Sequence, residues 1–372
     1  MKKKFKSIFA LMLALALVFS LAACGSSDTE EDTDTEAAAE DTADADTSEV
    51  TGDNIEIVLS TSKNETELAG MVLAYFADYV EAATDTITFS RNFGGTLYSS
   101  SEELDALSSG AIGVCALSHS EFSDYLPLLQ FPNFAQDSNE NGLSYMQYMI
   151  LESDAADLLE AEAEAMNVKY LNVIAGGSTV LCCTFEWDSL EETFSYKLGT
   201  GVNASAFESI GFSVVSMEVA DGYEDLSRGV IDLAVMSFAP TVSLGWYEAA
   251  PYYYYTGTHS AGNPISINLD VWNSLSESQQ ALLEEAADAA AEYSLEVTDE
   301  QEDEYIATIE DAGGFVKEMS EDDAAYYFQY YYEAIATDSY ARAEDLGITD
   351  DMQTVLNASA DYLGVDVSGV YE

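Results

Sequence analysis

The chain has 372 residues, 69 of them Asp or Glu against 11 Lys or Arg, for a formal net charge of −58 at neutral pH. That balance excludes nucleic acid as a partner, because a phosphate backbone is held by clustered cations. With 48% apolar residues the chain can bury a large core, and its length favours two domains over one.

The N-terminus reads as a leader. Lys2, Lys3, Lys4 and Lys6 form a basic segment, and Ile8 to Ala22 is an apolar run broken by Ser20 and closed by Ala23 and Cys24. Basic, apolar and small-residue segments in that order make an export signal. The run is shorter than the roughly twenty residues a spanning helix needs. Leu21, Ala22, Ala23 and Cys24 resemble a bacterial lipobox, so Cys24 is expected to carry lipid after removal of 1–23. Loss of the four lysines would take the formal charge from −58 to −62. Residues 24–52 then form a lipidated, acidic tether, too poor in large apolar side chains to fold. Its root-mean-square reach is roughly 30 Å.

In the body, Ile55 to Ser60 reads as a strand, followed by a loop with Ser62, Lys63 and Asn64. Leu68, Met71, Val72, Tyr75, Phe76, Tyr79 and Val80 recur at helical spacing. Thr86 to Arg91 alternates as a strand and opens into the FGGTL turn, Phe93 to Leu97. Alternation of this kind predicts parallel βαβ units, whose ligands gather at the carboxyl ends of the strands. By that rule Lys63, Arg91, Ser118, His119 and Ser237 look into one crevice.

Farther on, Asn139 to Met166 is mostly helical, Val168 to Ala175 is a strand, and Ser178 to Phe185 is another that enters a second lobe. Tyr196 to Met236 reads as strand, helix, strand, helix, strand. Gly211 and Gly229 end its helices in the left-handed conformation, and Asp221 caps the second. Its closing part echoes Ser101 to Ser118, which suggests two similar lobes with a cleft between them. Ile265 to Asn268 looks like a returning strand, so 53–176 with 263–300 would form one lobe, and 177–262 with 301–372 the other. A long helix begins at a capping box of Ser276 and Gln279 and meets no Gly or Pro until Gly313. Five tyrosines between Glu321 and Ala336 wrap around a helix and are expected to pack in core and surface. Cys182 and Cys183 are neighbours on a strand and face opposite ways. They and Cys115 are expected to be small buried side chains, with a disulfide involving Cys115 as the alternative.

These segments carry a family resemblance. FADYVEAATDTITF, FGGTLYSSSEELDALSSGAI, YLPLLQFPNF, IGFSVVSMEVADGYEDLSRGVID, GWYEAAPYYYYTGTH and ISINLDVWNSLSESQQALLEEAA occur in the order and spacing of one family. The chain resembles the DctP-type solute-binding subunit of tripartite ATP-independent periplasmic (TRAP) transporters. The resemblance implies an α/β, two-lobed, type II-like periplasmic-binding-protein fold with a long helix across both lobes. It further implies closure on a small solute and delivery to integral membrane TRAP subunits.

The departures bear on the solute. Many members place an Arg at the end of the strand that here reads Tyr196, Lys197, Leu198, Gly199, so Gly199 stands where that Arg would be. No cation replaces it in Gly176 to Val180, and the strand end at Met236 and Ser237 is more apolar than usual. Three solutes remain open. An organic acid would be caught by Arg91 or Lys63; a neutral or aromatic compound would sit against Met236 and Trp246, with Thr179 and Asn203 as polar contacts; a cation would suit the overall charge. With two histidines, no nucleophile elbow, no metal-ligand spacing and no phosphate loop, neither enzyme, metal site nor cofactor is expected. The rival function is a lipid-tethered receptor that signals to a membrane sensor protein.

Overall fold

A computed structural model describes residues 50–117 and 119–371. The expected leader, the lipidation site Cys24, nearly all of the tether and Ser118 lie outside the described residues. No helix among the described residues is long and apolar enough to cross a membrane.

The body opens with β1 (Ile55–Ser60), α1 (Leu68–Ala83) and β2 (Ile87–Asn92). Ile57 and Leu59 point from one face of β1 into a core with Val72, Leu73, Phe76, Ala77 and Val80 of α1, the side of the helix predicted from spacing. Then come α2 (Glu103–Ser108), β3 (Val114–Ala116), β4 (Phe134–Gln136), α3 (Asn139–Gln147), α4 (Ala156–Ala165) and the 16-residue β5 (Val168–Cys183). The middle of the chain contributes α5 (Leu190–Thr193), β6 (Lys197–Thr200), α6 (Ala204–Ile210), β7 (Ser213–Ser216), α7 (Gly222–Arg228), β8 (Leu233–Ser237) and α8 (Phe238–Ser243). It closes with the 17-residue β9 (Tyr252–Asn268), α9 (Leu269–Ser274), α10 (Glu277–Asp311), β10 (Phe315–Glu318), α11 (Glu321–Leu346) and α12 (Thr349–Leu363).

Among the described residues the strands form one sheet in the order β2-β1-β3-β9-β5-β8-β6-β7, with β4 and β10 also on β9. The long pair β5 and β9 carries the chain between its two halves. Val168 to Ala175 run beside Ala261 to Asn268, which β3 also flanks; Thr179 to Cys183 run beside β8. Two strands, Val168 to Ala175 and Ser178 to Phe185, were expected where β5 is continuous. Instead Gly177 takes φ +92 and the pairing slips at that point without ending. The returning strand likewise starts at Tyr252, well before the expected Ile265.

Helix α10 lies along β5. Its capping box forms as expected, with Ser276 Oγ accepting from Gln279 N and Gln279 Oε1 from Ser276 N. Asn172 Nδ2 donates to Asp288, Ala175 N to Ser294 Oγ, and Ser178 N to Glu302. From Asp288 to Glu302 the helix rises about 21 Å, and from Asn172 to Ser178 the strand extends about 20 Å. Helix and strand therefore run side by side across the junction, one splinting the other.

Two local expectations need correction. Asp221 makes no side-chain cap; a 3-10 turn, Val219–Asp221, leads into α7 instead, while Gly211 and Gly229 do end their helices at positive φ. The C-terminal helix does not join the second half. Tyr145 and Tyr332 both meet Ser359 Oγ at 2.6 Å, and Met352, Val355 and Leu356 pack with Leu129, Tyr145 and Met149 of the first half. The cysteines stand as expected, Cys115, Cys182 and Cys183 all free and buried, which leaves out the alternative of a disulfide at Cys115. Cys182 packs with Trp246 and Cys183 with Trp187, on opposite faces of β5.

Candidate functional site

Strand direction shows where the carboxyl ends of the strands meet. β1, β2 and β3 run parallel to one another and antiparallel to β9, which makes them parallel to β5; β8 is antiparallel to β5, and β6 and β7 follow β8. Because β5 leads from the first half to the second, the strands of both halves point their carboxyl ends toward the middle of the β5–β9 pair. That middle is where the register slips, between Tyr170 and Val180.

In the first half, the turn after β1 is tied to the FGGTL turn. Thr61 N donates to Asn92 O at 3.0 Å, Gly94 N to Lys63 O at 2.8 Å, and Gly95 N to Thr61 O at 3.1 Å. Gly94 and Gly95 both take left-handed φ, and a Cβ on Gly94 would stand 2.9 Å from Asn64 Oδ1. Lys63 is held by its backbone in this turn with its side chain exposed. Arg91 is turned elsewhere: its guanidinium binds Asp78 at 2.6 Å and Glu81 at 2.5 Å, both on α1. Of the two residues expected after β3, Ser118 is outside the described residues, and His119 opens a 3-10 turn with its side chain not described.

Glu103 was not foreseen in this half. It is 1% exposed and accepts Ser62 N at 2.5 Å. Burial raises its carboxyl to about 6, against the opposing pull of the Ser62 hydrogen bonds. The sequence does contain its signal, since Glu103, Ala106 and Leu107 fall at i, i+3, i+4 on the buried face of α2.

In the second half, Thr179 faces Ser237 across β5 and β8, and Met236 faces Val180. Thr179, Met236 and Ser237 are each half-buried at the end of β8. Asn203 adopts φ 54 before α6, and its Nδ2 donates to Tyr331 Oη at 3.1 Å, fixing the turn after β6 to α11. Gly199 is filled rather than open: a Cβ there would lie 2.5 Å from Ile231 Cδ1 and 3.0 Å from Met217 Sδ. Trp246 is a correction. It is fully buried, in one apolar cluster with Met217, Leu226, Ile231 and Phe238, rather than presented at a strand end. Among the described residues no cluster of His, Cys, Asp and Glu is arranged to hold a metal.

The model of bacterial extracellular solute-binding protein family 7, DctP, matches residues 59–339. The chain belongs to this family. A solute-binding protein of Sulfitobacter sp. (strain NAS-14.1), NAS141_03721, is 25% identical over 250 residues, 65% of this chain and 74% of that relative. Solved structures of TRAP periplasmic solute-binding proteins share the two-lobed fold. One from Rhodobacter sphaeroides, apo and open, has TM-score 0.70 and 19% identity, covering 82% of this chain and 99% of its own. One from Desulfovibrio desulfuricans, with bound sn-glycerol-3-phosphate, has TM-score 0.64 and 20% identity over 83% and 97%. A third, from Sulfitobacter sp. NAS-14.1 with bound β-D-galacturonate, has TM-score 0.61 and 18% identity over 82% and 100%. In this DctP family member, the carboxyl ends of the strands of both halves converge on the β5–β9 junction.

Proposed function

We propose that this DctP-family protein is an extracytoplasmic lipoprotein, anchored through Cys24, which captures one small solute by lobe closure and hands it to the membrane subunits of a TRAP transporter. The observation that carries the reading is the opposed direction of the two sets of strands, whose carboxyl ends meet at the β5–β9 junction. A solute there touches both lobes only when they close, so binding shifts the open–closed equilibrium. The first lobe comprises 53–176 with 263–300 and the C-terminal helix, and the second is centred on 177–262. A receptor role, signalling to a membrane sensor, would use the same closure and differ only in the partner.

The cations bear on the solute. Arg91, Lys169, Arg228 and Arg342 are paired with acids. Lys197 donates to the carbonyls of Gly229 and Val230, and Lys317 lies 3.8 Å above the Phe315 ring. Lys63 is the cation left at the crevice mouth among those with described side chains. An uncharged, hydroxyl- or amide-bearing solute held by Thr179, Asn203 and Ser237 against Met236 fits this distribution best. The second reading is an organic acid held by Lys63, favoured by the anions bound in the relatives from Sulfitobacter and Desulfovibrio.

The test is a thermal-shift screen of D-galactose, D-glucose and 2-pyrrolidone against D-galacturonate, D-glucuronate and pyroglutamate, followed by solution scattering with any stabilising compound. A solute at about 100 times its dissociation constant stabilises by about 2.7 kcal/mol. Shifts from the uncharged set alone support the first reading. Shifts from the acids that vanish in Lys63→Ala support the second. A scattering profile unchanged by a saturating, stabilising solute would sink lobe closure.

A further inference from the structure

The β5–β9 junction contains a buried polar cluster centred on Glu302. Glu302 of α10 accepts Ser178 N at 2.6 Å, Ser178 Oγ at 2.7 Å and Asn139 Nδ2 at 3.2 Å. Asn139 Nδ2 also donates to Asp299 at 3.0 Å, which leaves its Oδ1 facing His259 Nδ1 at 3.0 Å. Since Asn139 Oδ1 can only accept, His259 carries its proton on Nδ1, and the same nitrogen lies 3.1 Å from Ser178 Oγ. Ser178 is 1% and His259 9% exposed. The carboxylate of α10 thus joins α3 and β5 directly, and His259 of β9 joins the same cluster through Asn139 and Ser178.

The backbone is shaped around that carboxylate. Gly177 takes φ +92, a conformation that favours glycine, and a Cβ on it would crowd Glu302 Oε1 at 3.0 Å. The register slips on either side of this point, between Ala175 and Gly177 and between Ser178 and Val180. Ladder hydrogen bonds are therefore irregular where the chain passes between lobes, and the side-chain carboxylate takes over the Ser178 amide.

We propose that Glu302 is a positioning residue for solute capture, a latch that pins the crossing strand to the spanning helix and sets the geometry from which the lobes close. The inference rests on the lobe-closure reading. Of its three anchors along β5, the splint has at Glu302 the one that takes two hydrogen bonds from a single residue. A hinge motion that moves Ser178 against α10 has to release both.

Protonation would weaken the latch, because a neutral carboxyl has one fewer acceptor position for these three donors. Burial raises the carboxyl of Glu302 and lowers His259, so the former takes up a proton more readily and the latter stays neutral. The titratable groups that face the pair are Asp299 and Tyr305 on α10, Tyr255 on β9 and Asp137 before α3.

The test needs no solute. Nitroxides at Ala82→Cys and Glu208→Cys, exposed helical sites in the two halves, report the inter-lobe distance distribution of the solute-free protein, and hydrogen exchange reports the peptide with Gly177 and Ser178. Glu302→Gln is expected to broaden the distribution and to speed exchange at that peptide by about tenfold or more, as for loss of a charge-assisted hydrogen bond. Acidification should bring the wild type toward the variant and leave the variant unchanged. Ser178→Ala keeps the amide bond and loses the hydroxyl bond, so a smaller broadening is expected. An unchanged distribution in both variants, or exchange that accelerates equally throughout the chain, overturns the latch; either result leaves solute binding itself unaffected.

Discussion

The indole of Trp246 lies so close to the backbone of Gly222 that a methyl group on Gly222 would overlap its six-membered ring. Gly222 has ordinary helical φ and ψ, so Ala would be favoured there by propensity alone. Overpacking wins: Gly222→Ala is expected to lower stability by about 1–3 kcal/mol. Urea unfolding measures it, and a midpoint equal to or above that of the wild type would show that the ring can shift.

Arg91 points at α1, and Arg91→Ala should reflect that. Loss of the half-buried pair with Glu81 and the exposed one with Asp78 is expected to cost about 0.5–1 kcal/mol. Affinity for any solute found by the thermal-shift screen should stay within about twofold. Isothermal titration decides, since a tenfold loss, about 1.4 kcal/mol, would return Arg91 to the crevice.

Glu103 predicts a pH dependence. Its carboxyl is raised to about 6 by burial, whereas in the unfolded chain it titrates near the usual value of about 4.3. The folded form therefore holds its proton more tightly, and the associated stability is fully present below the unfolded value and lost as pH rises through about 6. The amount is about 2 kcal/mol. Glu103→Gln should flatten this part of the curve between pH 4.5 and 7 while still accepting Ser62 N. Parallel pH profiles for variant and wild type would refute it.

The three cysteines among the described residues supply a chemical check. Cys115, Cys182 and Cys183 are buried and unpaired, and burial pushes all three thiols up. Thiol reagents are expected to leave them unmodified in the native protein and to modify all three in denaturant, with reductant making no difference to unfolding. A reductant-dependent midpoint would reinstate a disulfide.

The local elements were legible because their signals are local. Apolar residues at helical spacing in α1, the capping box before α10, and Gly211 and Gly229 after α6 and α7 each fix a conformation through neighbours within a few positions. The site was legible only as a set of strand ends. Lys63 and Ser237 fall at the crevice by that rule, yet Arg91 and Trp246 sit at equally suggestive positions and are taken up by other partners. Nothing in the spacing tells a cation free to meet solute from one already paired across thirteen residues with Asp78.

By itself the sequence determined the alternation of strands and helices, the helix ends, the acidic surface and the family. Periodicity and capping are written within single elements, and ordered segments can be matched one after another. Tertiary structure alone decided that β5 and β9 are continuous strands, that α12 returns to the first half, that Gly199 is packed against Ile231, and that Ser178 and Asn139 meet on Glu302 with His259 against both of them. Each of these is a contact between residues far apart in the chain, and its energy depends on burial and on partners that no single stretch of sequence contains.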